Sequence, residues 1–226
     1  MLLTVATTSL REMSRRRVAL LLVLLLPLVF YLVRLDVHWQ AIRFLAIGIG
    51  WAVATLSLFS HVGSRHLDRR LSVVGARPTA LFFGRQLALL AVGLVMAGVY
   101  FGLVALTQGD LPRLGGVALL LVTTVCVAVP LGALVSLVIT RELEGALALL
   151  SIMSLQLLVD PAGSLARLLP LWSTRELSGY AIDGSTGTDT LAAGLVHFAL
   201  AATLCVLVAW VVSIVRLRPA EIRPPS

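Results

Sequence analysis

Four histidines, two cysteines and 11 acidic residues are the side chains of this 226-residue chain best suited to acid–base, nucleophilic or metal chemistry. Their spacing supports none of it. No H-E-x-x-H, no G-x-S-x-G and no cysteine pair at metal-ligand spacing occurs. His38, His61, His66 and His197 are scattered, and Cys126 and Cys205 fall in apolar runs, where a thiol behaves as a small hydrophobe. Asp183 and Asp189 sit in a Gly- and Thr-rich stretch that reads as a solvated loop. The chain also contains no lysine, and a P-loop needs one to reach the β- and γ-phosphates. The expectation is therefore a protein with no catalytic residue, no metal and no cofactor of its own, unable to hydrolyse ATP alone.

The composition explains what the residues are for instead. It is 59% hydrophobic and only 13% charged, with a mean hydropathy of +1.01, far above what a soluble core of this length requires. The net charge of +7 comes entirely from 18 arginines against the acids. In so apolar a chain this excess reads as a basic membrane face oriented against anionic lipid, not as a nucleic-acid surface. A chain rich in arginine, alanine and leucine and lacking lysine is also what a GC-rich bacterial genome encodes.

Six apolar runs stand out, at 18–33, 41–62, 81–106, 114–140, 145–159 and 191–215. The fifth falls short of the ~20 residues a helix needs to cross the hydrocarbon, whereas the fourth exceeds it. Pro27 and Pro130 each remove a backbone hydrogen bond inside a run, so kinks are expected there. The first run follows Arg15, Arg16 and Arg17, but Arg34 and Asp36 stand where a small-residue cleavage site would be, so it reads as a span and not a signal peptide. With the N-terminus inside, only Arg34, Arg43, Arg113, Arg167 and Arg175 of the 18 arginines fall in outer segments. The positive-inside rule then puts both termini in the cytoplasm.

Three shorter stretches are amphipathic or broken. Leu3, Ala6, Leu10 and Met13 recur at helical spacing ahead of the first run, with Thr7, Arg11, Ser14 and Arg15 on other faces, as in a helix lying on the inner leaflet. Between the second and third runs, Leu67, Leu71 and Val74 form an apolar stripe rimmed by Arg65, His66, Asp68, Arg69 and Arg70. Gly75 stands where the helix should stop, and Pro78 follows. A solvated loop would not need the stripe, which favours a partner-binding helix. On the outer side, residues 160–190 combine Leu165, Leu168, Leu169, Leu171 and Trp172 with Pro161, Gly163, Pro170 and Gly179. Ser173 and Glu176 have capping-box spacing, so a short helix is expected from Thr174. Short apolar helices beside a truncated span point to a re-entrant hairpin over a loop lying on lipid headgroups.

Membrane depth carries Ser57, Thr123, Thr124, Ser136, Ser151, Ser154, Gln156 and Thr203, but no Asp or Glu. Ion-coupled carriers and proton pumps need ionisable groups at that depth, so any transport energy must come from elsewhere. His197 is the one ionisable side chain well inside a run, and a bond to a neighbouring helix's carbonyl explains it better than a place on a pathway. Gly98 and Gly102 form a G-x-x-x-G pair that permits close helix contact.

The order of these features resembles the export-type membrane subunits of ABC transporters. The likeness covers nearly the whole chain: the amphipathic start through Arg15, Arg16 and Arg17 into a span with Pro27, the basic stretch from His66 to Arg85, and the closing pattern from Asp160 through Leu169, Pro170 and Leu171 to Gly179. Many relatives carry an acidic–arginine pair and a glycine in the first cytosolic loop, where this chain reads His66, Leu67, Asp68, Arg69, Arg70. The resemblance implies an all-α, six-span permease domain over 1–226 that works as a dimer in the bacterial cytoplasmic membrane. It implies an ATPase subunit as a separate partner, holding ATP and Mg and contacting a coupling helix of Arg65, Leu67, Asp68, Arg69, Arg70, Leu71 and Val74. It also implies an outer re-entrant segment containing Leu168, Pro170, Trp172, Glu176 and Gly179. An intramembrane protease or lipid transferase is disfavoured by the missing nucleophile and paired carboxylates. A non-transporting assembly factor would have no need of an ATPase at 66–77.

Overall fold

The computed structural model describes residues 1–15, 17–35, 37–108, 111–159, 163–183 and 185–217. Arg16, Asp36, Asp160, Pro161, Arg218 and Arg223 fall outside them, as do the side chains of Met13, Ser14, Arg15, Arg17 and His38. The described residues form ten helices and no strand. In order these are α1 (Leu2–Arg15), α2 (Arg17–Val33), α3 (His38–Gly63), α4 (Arg65–Val73), α5 (Pro78–Thr107), α6 (Leu114–Val138), α7 (Glu142–Leu158), α8 (Ser164–Leu168), α9 (Trp172–Ile182) and α10 (Thr188–Leu217). A helix satisfies its backbone groups internally, which is what a lipid-facing apolar run requires.

Four helices, α3, α5, α6 and α10, are long and apolar enough to cross a membrane. The chain is thus a multi-pass helical membrane protein. α2 and α7 coincide with the two remaining apolar runs but have 17 residues each, about 25 Å at 1.5 Å per residue. Pro27 and Pro130 lie inside α2 and α6.

Contacts at the helix ends fix their directions. At one end, Arg65 at the start of α4 donates to the carbonyls of Ser136 and Ile139 at the end of α6, and Arg216 at the end of α10 donates to Leu137 O at 2.5 Å. The start of α7 meets the same end of α3, since a Cβ on Gly145 would lie 2.6 Å from Leu58 Cδ2. At the opposite end, Tyr31 of α2 shares a 2.5 Å hydrogen bond with Thr107 of α5. There Arg113, before α6, donates to Tyr180 O of α9 at 3.0 Å and Thr186 O, just before α10, at 3.1 Å. Helices α2, α3, α5, α6, α7 and α10 therefore alternate in direction.

Packing centres on α3 and α6. Of their most apolar stretches 78% and 72% is buried, against 39% for α5 and 11% for α10. Lipid tails are as apolar as leucine, so close packing and hydrogen bonds must hold such helices together. Both operate here: Ser57 Oγ donates to Val129 O at 2.6 Å, and Gly132 rests on the Ala54 carbonyl, leaving no room for a Cβ. Gly93 likewise faces Val125 and Val53. The expected G-x-x-x-G contact is not made within the chain, because the space beside Gly98 and Gly102 is open. The contact-forming glycines lie on other faces. α10 presents Val196, Leu200, Leu204, Val211 and Val215 outward in one stripe, a surface that would aggregate in water and is at rest in lipid.

α1 is helical as expected, and its faces are unequally covered. Leu3 is 75% exposed, whereas Ala6 and Ser9 are buried. Gly84 of α5 is the cause: a Cβ there would lie 2.8 Å from Leu2 O and Val5 Cβ, so its notch draws the Val5 face inward.

Candidate functional site

The α3–α4 corner and the α4–α5 turn shape the most distinctive surface of the molecule. α3 ends at Gly63, and Ser64 joins it directly to α4, its hydroxyl reaching Asp68 Oδ2 at 3.2 Å. The far end of α4 closes as the sequence leads one to expect. Gly75 has φ +97, Ala76 N–H donates to Leu71 O at 2.9 Å and Gly75 N–H to Ser72 O at 3.1 Å, a Schellman stop that only glycine adopts without strain. Pro78 then opens α5 in the first-turn position where its missing N–H costs nothing.

Asp68 departs from the expected exposed rim. It is buried, and the guanidinium of Arg85, buried about two turns into α5, donates to both its oxygens at 2.7 and 2.9 Å. A bidentate charge-assisted pair of this kind fixes orientation as well as distance. Beside the inward Asp68, the flanking stripe stays exposed: Leu67 is 52%, Leu71 37% and Val74 86% exposed. Arg69 and Arg70 are also exposed, and Arg65 is half-buried over the end of α6. The seven residues of the expected coupling helix are thus divided between an inward anchor and an outward apolar stripe.

No family model matches the chain, nor does any curated protein. The functional reading therefore rests on geometry.

At the opposite end, α8 and α9 pack beside α10. His197 donates from Nε2–H to Arg167 O at 3.0 Å, and its ring lies 5.1 Å from that of Trp172. The carbonyl bond expected of His197 is thus present. His197 is nine residues into α10, about 13 Å along its axis, so the α8–α9 junction reaches that depth while Tyr180 returns to Arg113 at the helix end. Gly194 lets α9 approach, with Leu177 and Glu176 within 3.3 Å of where its Cβ would be. Pro170 lies in the bend between the helices, Leu168 points outward, and the Gly179 carbonyl accepts from Asp183 N–H at 2.8 Å.

The capping box is not formed. α9 begins at Trp172 with no side-chain cap. The chain already turns at 169–171, where Trp172 N–H bonds Leu169 O and Thr174 N–H bonds Leu171 O. Ser173 is consequently inside the first turn and buried. Beyond α9, the Ser185 hydroxyl and amide donate to Asp183 Oδ1 at 2.7 and 2.9 Å, holding that exposed carboxyl below its usual range.

Among the described residues no three His, Cys, Asp or Glu side chains gather as a metal site would require. Sequence reasoning missed the Asp68–Arg85 pair. Its signal was Arg85 itself, a charge four residues inside an apolar run, which demands a partner when buried.

Proposed function

We propose that this chain is the membrane-spanning subunit of an ATP-driven exporter of the ABC type. In this reading α2, α3, α5, α6, α7 and α10 are six spans in the bacterial cytoplasmic membrane, with both termini cytoplasmic. Two copies form the pathway, and a separate subunit binds and hydrolyses ATP with Mg.

The observation that carries the proposal is α4: an amphipathic helix at one end of a membrane bundle, pinned by a buried ion pair, with Leu67, Leu71 and Val74 exposed alongside it. An apolar stripe held rigidly outside the apolar spans suits a soluble partner. The absence of lysine from these 226 residues supports the same division of labour, since they supply no P-loop. The approach of Arg167 and Trp172 to His197 supports an outer re-entrant segment made of α8 and α9.

The test is to purify the chain alone and together with a Walker-type ATPase from a neighbouring gene. Hydrolysis should appear only in the pair, and both proteins should elute together. Magnesium-dependent hydrolysis by the isolated chain would sink the proposal.

A further inference from the structure

Between the α3–α4 corner and the ends of α6 and α10 lies a cavity of about 480 Å³. Arg65, Arg69 and Arg216 line it, together with His66, Ser136 and Leu137. Among the described residues no carboxylate pairs with any of the three arginines. The one acid on its wall, Asp68, already has both oxygens occupied by Arg85. Arg65 and Arg216 bond only backbone carbonyls at the α6 C-terminus, and each guanidinium has five donors, so most remain unassigned.

Three like charges around one concavity repel one another unless an anion joins them. Burial, and then the charges of Arg216 and Arg69, hold the Arg65 guanidinium below its ordinary value. The cavity also sits where membrane-crossing helices end, with Val138 and Val215 exposed nearby.

We infer that this cavity is a binding site for a phosphate group, presented either as the phosphodiester of an anionic lipid headgroup or as free phosphate. Guanidinium forks match phosphate oxygens in pairs, so three of them can enclose one such group. Leu137 and the exposed valines offer the apolar flank along which acyl chains of a lipid would lie. The inference does not depend on an ATPase partner, and its test uses this chain alone.

The detergent-solubilised full chain is titrated with dioctanoyl phosphatidylglycerol, with inorganic phosphate and with dioctanoylglycerol, following thermal stability and tryptophan fluorescence. A phosphate-bearing probe should saturate and dioctanoylglycerol should not. Tighter binding of the lipid than of inorganic phosphate identifies the headgroup as the source, and equal binding identifies free phosphate. Arg69→Gln with Arg216→Gln should weaken binding about tenfold or more. Arg69→Gln alone, at an exposed position, should weaken it measurably with unchanged elution and helicity. The inference is overturned if neither phosphate probe saturates, if dioctanoylglycerol binds equally well, or if the variants bind like the parent chain.

Discussion

The Arg85 guanidinium grips both oxygens of the Asp68 carboxylate, joining the short α4 to the long α5 across 17 residues of sequence. Both side chains are largely shielded from solvent. Removing one partner of such a pair strands the other charge, at a cost of about 3–5 kcal/mol. Asp68→Asn should therefore lower the unfolding temperature in detergent strongly. Adding Arg85→Gln should restore part of the loss, and a double-mutant cycle measures the coupling. Additive effects would show that the pair contributes nothing as a pair.

The α3–α6 contact makes a second prediction. Gly132→Ala has no room against the Ala54 carbonyl and should destabilise by about 1–3 kcal/mol through overpacking. Gly98→Ala meets open space and should stay within about 0.5 kcal/mol. Thermal unfolding of the two variants side by side checks this, and equal stability would contradict the close approach.

For the proposed docking of α4, Leu71→Asp is the sharpest change. Burying a leucine against a partner contributes roughly 1.5–3 kcal/mol, and an aspartate there would also bury a charge without a partner. Co-purification with the ATPase and stimulated hydrolysis should both collapse at normal membrane levels of the variant. Arg70→Ala, at an exposed position beside the stripe, should weaken association modestly and mostly at low salt. Full co-purification of Leu71→Asp would move the interface to Arg141–Glu144 or to α1.

Orientation is open to direct labelling in a background with Cys126 and Cys205 replaced by alanine. Cysteine at Ser185, an exposed position before α10, should react with an impermeant thiol reagent added outside whole cells. Cysteine at Val73, exposed at the end of α4, should react only after the membrane is opened. The reverse pattern would invert the arginine-based topology.

What could be read from the sequence was what depends on local pattern. Apolar runs located the membrane helices, because length and hydropathy are properties of one segment. The Gly75 stop and the first-turn Pro78 were legible for the same reason, each being set by its own backbone preferences. Facing was less accessible. Leu3 and Ala6 share an amphipathic pattern, yet the notch at Gly84 in another helix decides which is covered. Gly98 and Gly102 look more suited to contact than Gly132, but only the fold shows which glycine meets a backbone. Asp68 read as part of a charged rim because its partner is 17 positions away, on a helix that carries no other charge.

α5 runs without an internal proline from Pro78 to Thr107, a length of about 45 Å. One end is clamped to α4 through Asp68 and Arg85, and the other touches α2 through Tyr31 and Thr107. A stiff rod held in this way converts angle into travel. From Arg85 to Thr107 the arm is about 33 Å, so a pivot of about 5° at the clamp corresponds to about 3 Å at the far tip. The Tyr31–Thr107 bond thus sits at the end of a long lever arm, where a change of angle at the clamp is largest as distance.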